Sequence, residues 1–467
     1  MITNLDYIVI LIYIGILVGI GIFSVRKIED ENDFLVAGRR LSYNLYVPAL
    51  AAVVLGGGST FGSVALGYQY GISGMWLVFM FGFGIFVIGI FFSKKLSKLK
   101  VFSVSEMLGE KYGQSSRLIS GWIMIVYDFM ITVTANIGMG LMFSAIFDIK
   151  LSTAIIIGGL IMLAYTILGG MWAVTLTDVI QFWVLAVGFI LILMPLGIYN
   201  VGGISGMASK LDPSFFNIAN IGGKSIFAFF LMFTFGIIIG QDIWQRVFTA
   251  KDEKIMRKGT IIAGVFCVIY GIAGAIIGMV ASIVLPRLND PQTALSELIM
   301  TILPTGIVGL VIAAVISALM STASGTIMAT STIVVNDFLL QTFKKDFSEK
   351  QKVKLTRIVI LVVSLLAIGA SIYLENLIVA LDVAYALLSG SIFLPVIAAL
   401  FWKRITSKTA LISMLISSIV IIVDLSIEGA SSLNAIIFGV AAGGIIMLIG
   451  AFKTKPIEIP AEKSSTI

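Results

Sequence analysis

Apolar residues in this chain gather in long unbroken runs, where a water-soluble helix would show a stripe of one apolar position in every three or four. The runs fall at about 5–25, 44–71, 74–93, 117–147, 151–171, 173–199 and 225–248, then at 258–285, 306–336, 355–374, 377–402, 409–427 and 433–452. A helix needs about 20 such residues to cross a bilayer. The pattern therefore predicts thirteen membrane helices and an all-α integral membrane protein. The first run has no basic residue before it and no evident cleavage site, so it reads as a helix and not as a removable leader. The pattern divides the chain into a first helix with its loop (1–43), a helical core (44–402), two C-terminal helices (403–452) and a polar tail (453–467).

Composition agrees: 59% of the 467 residues are apolar and 12% charged, about half the charge of a soluble domain. Histidine is absent and Cys267 is the only cysteine. Zinc triads, Ser-His-Asp nucleophiles and intrachain disulfides are thereby excluded, and no enzyme chemistry is expected.

The net charge of +6 would suggest nucleic acid in a soluble protein, but its placement gives another meaning. With the N-terminus outside, 27 of the 31 Lys and Arg fall in segments on the cytoplasmic side, 26–43, 94–117, 246–258, 337–357, 403–408 and the tail. That asymmetry fixes the expected orientation, N-terminus outside and C-terminus inside; the lipid bilayer is the partner and nucleic acid is not. Asparagine never occurs in an N-x-Ser/Thr sequon, which favours the cytoplasmic membrane of a prokaryote.

Two runs are interrupted. Gly56-Gly57-Gly58-Ser59-Thr60 lies in the middle of 44–71, and Gly240-Gln241-Asp242 breaks 225–248. Each glycine costs a helix about 1 kcal/mol relative to alanine, and unwound backbone at membrane depth is tolerated where it lines a cavity. Paired breaks at corresponding places point to a secondary transporter built from two repeats, spans 2–6 and 7–11, with its binding site at the breaks. Gly57, Gly58, Ser59, Gly240 and Gln241 are the resulting solute-site candidates.

The ninth run carries Ser317, Ser321, Thr322, Ser324, Thr326 and Thr330. Ala318, Ser321 and Thr322 share one helix face. Their oxygens, with carbonyls of the unwound 52–60 stretch, make a cluster suited to Na+. Asp178 and Asp128 fall within spans, where an acid is costly and is a functional candidate by default. No Lys or Arg is expected at matching depth, so both acids are expected to lack a basic partner, and Asp128 is expected beside the cavity.

Together these features resemble the sodium:solute symporter family over nearly the whole chain. The resemblance rests on Asp33-Phe34-Leu35-Val36-Ala37-Gly38-Arg39-Arg40-Leu41 after the first run, on Gly169-Gly170-Met171-Trp172-Ala173-Val174 with Thr177, Asp178 and Gln181, and on Gln241 with Gln245-Arg246. It implies the inverted-repeat fold of the leucine transporter and alternating access driven by co-transported Na+. The implied first sodium site falls on the carbonyls of Ala52, Leu55 and Ala318 and the hydroxyls of Ser321 and Thr322. The implied second site falls on Asp178, Ser321 and Ser324, although Gly325 stands where members with that site have a serine. Val78 and Ile131 replace the polar groups that hold sugars and sialic acid. Asp128 stands where choline transporters carry a glutamate, without their aromatic cage. The expected cargo is a small organic solute, amine-bearing or zwitterionic. A proton-coupled carrier of the same fold is the nearer alternative and a passive channel the more distant one. The sequence sets neither the ion ratio nor the oligomeric state.

Overall fold

The computed structural model describes residues 3–24, 30–343, 347–402 and 404–453. Arg26, Lys27 and the tail after Lys453 lie outside the described residues. Each of the thirteen apolar runs is mainly helical where it is described, the second and seventh with a break inside. Among the described residues ten helices are long and apolar enough to cross a membrane, or eleven if the bent pair in the seventh run counts as one span. The figure is smaller than thirteen because helix ends do not coincide with run ends. Helix Tyr43–Val54 is short by itself, and Gly57–Leu96 continues from the second run into the third. Leu151–Leu185 joins the fifth run to the sixth across a kink at Gly170.

Outer helices bury one stripe and expose the rest. In Asn4–Ser24 the buried positions are Asp6, Ile10, Tyr13, Leu17, Gly21 and Ser24, the spacing of one helix face. Leu5, Ile8, Leu11 and Ile12 are exposed, which suits a lipid surround. Helix Ile307–Ile333 is the opposite case. Every residue from Val311 to Ile333 is buried, so its hydroxyls lie in the middle of the protein. Several, including Ser317, Ser331 and Thr332, donate to carbonyls one turn back, and Ser317 and Thr332 also meet Tyr13 and Gln245 on other helices.

Both predicted breaks are present. Helix Tyr43–Val54 ends at Leu55, Gly56 is extended at φ −92° and ψ −152°, and the chain resumes as helix Gly57–Tyr70. The second break is a single residue. Gly240, at φ −58° and ψ 131°, separates Phe235–Ile239 from Gln241–Val247, and the two parts meet at a bend of 46°.

The signature segments meet at one end of the bundle. Trp172 Nε1 donates to Asp33 at 3.4 Å, and Asp33 also pairs with Arg40. Gln245 Nε2 donates to the Leu35 carbonyl and to Thr332 Oγ1, both at 2.9 Å. Gly170 has φ 55°, and a side chain there would strike the Phe34 ring, so glycine is needed for the backbone and for the packing.

Candidate ion and solute site

The first break lies against the buried ninth helix. Thr322 Oγ1 donates to the Val53 carbonyl at 2.7 Å, and a Cβ on Gly56 would fall on the Thr322 side chain. The chain can approach this closely because Gly56 has no side chain. Around the contact, the Ala52 carbonyl accepts the Leu55 N–H at 3.2 Å, and the Leu55 carbonyl lies 3.5 Å from Thr60 Oγ1. Ser59 donates to the carbonyls of Val54 and Gly56. The carbonyls of the break thus face hydroxyls, and Thr322 stands one residue from Ala52 along the strand it contacts.

Ser321, next to Thr322 on the same helix, donates to Asp178 Oδ1 at 2.6 Å. Asp178 is fully buried, and its other oxygen is 3.3 Å from Arg246 Nη2. This corrects the expectation that Asp178 has no basic partner. Arg246 was counted with the cytoplasmic loop, but helix Gln241–Val247 turns back into the protein and leaves it 1% exposed.

A small cavity lies between the two breaks, lined by Val54, Gly58 and Ser59 from one and by Ile237, Asp242 and Ile243 from the other, with Phe81, Thr322 and Tyr385 closing it. Its free volume is about 20 Å³, room for a water-sized group and less than a solute needs. Asp242 accepts a hydrogen bond from the Tyr127 hydroxyl at 3.3 Å, and Tyr127 bonds Tyr385 at 3.1 Å. Helix Gly57–Tyr70 starts at the cavity with no side chain capping its first turn, so its leading amides are open to an anion.

Of the six solute-site candidates, Gly58 and Ser59 line the cavity, and Gly57, Asp128, Gly240 and Gln241 do not. Asp128 is buried and neither carboxyl oxygen has a hydrogen-bond partner. It is not among the cavity-lining residues, and its charged surroundings are Asp242 and Arg246. Gln241 faces away from the cavity: its Nε2 donates to the Phe102 carbonyl at 2.9 Å and its Oε1 accepts from the Val104 N–H at 2.8 Å. At Gly240 a Cβ would lie 2.9 Å from Asp242 Oδ1 and 3.2 Å from the Tyr127 hydroxyl, so glycine at the break leaves room for that pair. The acid at the cavity is Asp242. In the sequence Asp242 shows only as part of the Gly240-Gln241-Asp242 break, where glycine draws attention to the backbone. The signal available was its place one residue after the amide it follows, at the start of a half-helix.

Comparison with known proteins gives a consistent picture. The model of the sodium:solute symporter family matches residues 34–417. The high-affinity proline transporter PutP of Bacillus subtilis (strain 168) is 27% identical over 86% of this chain and 89% of that one. The sodium/pantothenate symporter of Haemophilus influenzae is 24% identical over 94% and 95%. Among solved structures, a Na+-coupled sialic acid symporter in a substrate-bound outward-open state superposes with a TM-score of 0.83 at 21% identity, over 98% of this chain and 99% of that one. MhsT in complex with L-phenylalanine superposes with a TM-score of 0.54 at 14% identity, over 88% and 99%. These structural likenesses extend the shared fold over the whole length.

Proposed function

The chain belongs to the sodium:solute symporter family, a family of Na+-coupled transporters and not of enzymes, and from that premise we propose that its solute is a compact zwitterion held between the two helix breaks. The observation that carries this reading is the cavity itself, lined both by the acid Asp242 and by Gly58 and Ser59 at the start of a half-helix. Asp242 would receive the ammonium group, with the Tyr127 hydroxyl already donating to that carboxylate. The amides of Gly58 and Ser59 would receive a carboxylate, where the helix dipole favours negative charge. Tyr385 and Phe81 supply flat apolar walls. The proline transporters among the relatives carry a solute of this class.

Na+ is the co-transported ion. We place it at the junction of Thr322 with the Val53 carbonyl, where Ala52, Leu55 and Ala318 carbonyls and the Ser321 and Thr322 hydroxyls are the candidate ligands. A hydroxyl that donates its proton keeps two lone pairs for a cation. Binding there ties the first break to the ninth helix and favours the state that accepts solute, since a ligand moves an equilibrium only through its preference for one state. Entry of Na+ down its potential then drives the solute inward, at about 2.3 kcal/mol per charge per 100 mV. The reading places thirteen spans with the N-terminus outside, in the cytoplasmic membrane, with 44–402 as the transport core.

The test is thermal stabilisation of the purified protein by L-proline, other amino acids, pantothenate and sialic acid, each with and without Na+. Stabilisation by an amino acid that requires Na+ supports the reading. Pantothenate and sialic acid carry a carboxylate and no amine, so stabilisation by either of them alone overturns the role given to Asp242.

A further inference from the structure

No residue of the first helix, Asn4–Ser24, lines the cavity between the breaks, yet two of its buried side chains reach the helix that carries Thr322. Asp6 is fully buried and divides its carboxylate between two helix starts. Oδ2 accepts the Thr3 N–H at 3.0 Å and the Thr3 hydroxyl at 2.8 Å, at the start of its own helix. Oδ1 accepts the N–H groups of Gly306 and Gly309 at 2.9 and 2.8 Å. Helix Ile307–Ile333 begins at Gly306 with no side chain of its own to cap it, and the opening N–H groups of a helix have no intrahelical partner. Asp6 supplies from another helix the acceptor that an aspartate at the cap position would supply locally. Gly309 permits the approach, since a Cβ there would lie 2.7 Å from Asp6 Cα and 2.8 Å from its carbonyl oxygen. Two turns further along the first helix, the buried Tyr13 hydroxyl meets the Ser317 hydroxyl. Ser317 gives its own proton to the Ala313 carbonyl at 2.6 Å, so Tyr13 is the donor. Ser317 in turn stands one turn before Ser321 on the same helix face.

We propose that Asp6 and Tyr13 are positioning residues for Na+, fixing the ninth helix so that the Ser321 and Thr322 hydroxyls stay in register with the carbonyls of the first break. The proposal rests on the sodium reading above and goes beyond it in giving the first helix a part in ion binding. A helix held at its first turn and again two turns later can neither slide nor rotate against its neighbour. That matters because a site of several ligands works only when they are held to within about 0.5 Å. One side of this seam is the unwound stretch around Gly56, so the other side has to be the fixed one. Ser317 is five residues from Thr322, about 7.5 Å at 1.5 Å per residue, with unbroken helix between them. Were the ninth helix free to shift, Na+ would find its oxygens in place for only part of the time, and its apparent affinity would fall by that fraction.

The experiment is thermal stabilisation of the full-length purified protein over a Na+ series, with K+ holding the ionic strength constant. Two quantities are read: the melting temperature without Na+ and the Na+ concentration for half-maximal stabilisation. Asp6→Leu is expected to raise that concentration about five- to tenfold, within the range of a lost cap. Tyr13→Phe is expected to raise it about threefold, within the range of one neutral hydrogen bond. Asp6→Asn keeps an acceptor for Gly306 and Gly309 and is expected to fall between wild type and Asp6→Leu. Leu11→Ala, on the exposed side of the same helix, is expected to leave it unchanged, and an equal shift there would overturn the proposal. A merely structural contact has a different signature: a lower melting temperature without Na+ and an unchanged Na+ dependence in Asp6→Leu and Tyr13→Phe. That result would overturn the proposal too. If Asp6→Leu does not fold, Asp6→Asn and Tyr13→Phe decide, and no change in either overturns it. Absence of any Na+ stabilisation in the wild-type protein has a separate meaning: it removes the sodium site of the proposed function, and the inference falls with it.

Discussion

The Thr322 hydroxyl donates to the Val53 carbonyl at 2.7 Å across the gap between a broken helix and the fully buried helix beside it. The carbonyl is available because the helix Tyr43–Val54 stops there, leaving its last carbonyls without intrahelical partners. The hydroxyl reaches it because Gly56 puts nothing between them. A helix end, a glycine and a hydroxyl thus produce an oxygen-rich seam between two elements of the bundle.

Removing either hydroxyl on the ninth helix should weaken Na+ binding. Thr322→Ala and Ser321→Ala are each expected to raise the Na+ concentration for half-maximal uptake about tenfold, equivalent to ~1.4 kcal/mol. Uptake measured over a Na+ series checks this, and an unchanged dependence in both variants would locate the ion elsewhere. Ser321→Ala has a second consequence, because it also removes a hydrogen bond from Asp178.

Gly56→Ala should act at the same seam by steric means. Its Cβ would overlap the Thr322 side chain, and overpacking of a tight site costs about 1–3 kcal/mol. A lowered melting temperature and loss of stabilisation by Na+ are expected. Gly62→Ala is the control on the same half-helix, since its Cβ would meet only Leu77 at 3.4 Å. Equal damage from both would mean that helix packing in general, and not the Thr322 contact, sets the requirement for glycine.

The two acids near the cavity should separate by function. Asp242→Asn is expected to weaken solute binding by about ten- to a hundredfold, the range of a charge-assisted hydrogen bond, while Na+ binding in the absence of solute persists. Asp128→Asn should change solute affinity less, because Asp128 does not line the cavity. Isothermal titration of Na+ and of the solute that the thermal screen identifies would measure both. The reverse order would return the solute-facing role to Asp128.

The sequence makes the helices and both breaks legible because length, apolarity and glycine are local signals. Gly56 and Gly240 fall where the chain unwinds, and Thr322 reaches the break as its spacing suggested. Charge placement was harder to read. Counting Arg246 with a loop followed from its position after an apolar run, yet a half-helix that bends by 46° carries it back to Asp178. Asp128 was judged by its depth in the fourth run, and depth says nothing about which way a side chain points. Gln241 was assigned to solute because it adjoins a break, but a break has two faces, and this amide took the one towards Phe102 and Val104.

That last contact gives a prediction of its own. The loop before helix Val104–Tyr112 is held from two sides. The Gln241 amide takes the Phe102 carbonyl and the Val104 N–H, while Asp337 accepts from Ser103 at 2.8 Å and Ser105 at 2.5 Å and pairs with Arg117 at 2.6 Å. Gln241 therefore links the second half-helix of the solute site to a loop that is also anchored to the end of the ninth helix. Gln241→Leu leaves a donor and an acceptor unpaired, at about 1–3 kcal/mol for each buried group, so the melting temperature should fall. Solute affinity in saturating Na+ should stay within about threefold of wild type, since this side chain does not face the cavity, whereas the rate of uptake should change. A large loss of solute affinity with the melting temperature unchanged would show that the amide leaves the loop and turns to the solute during transport.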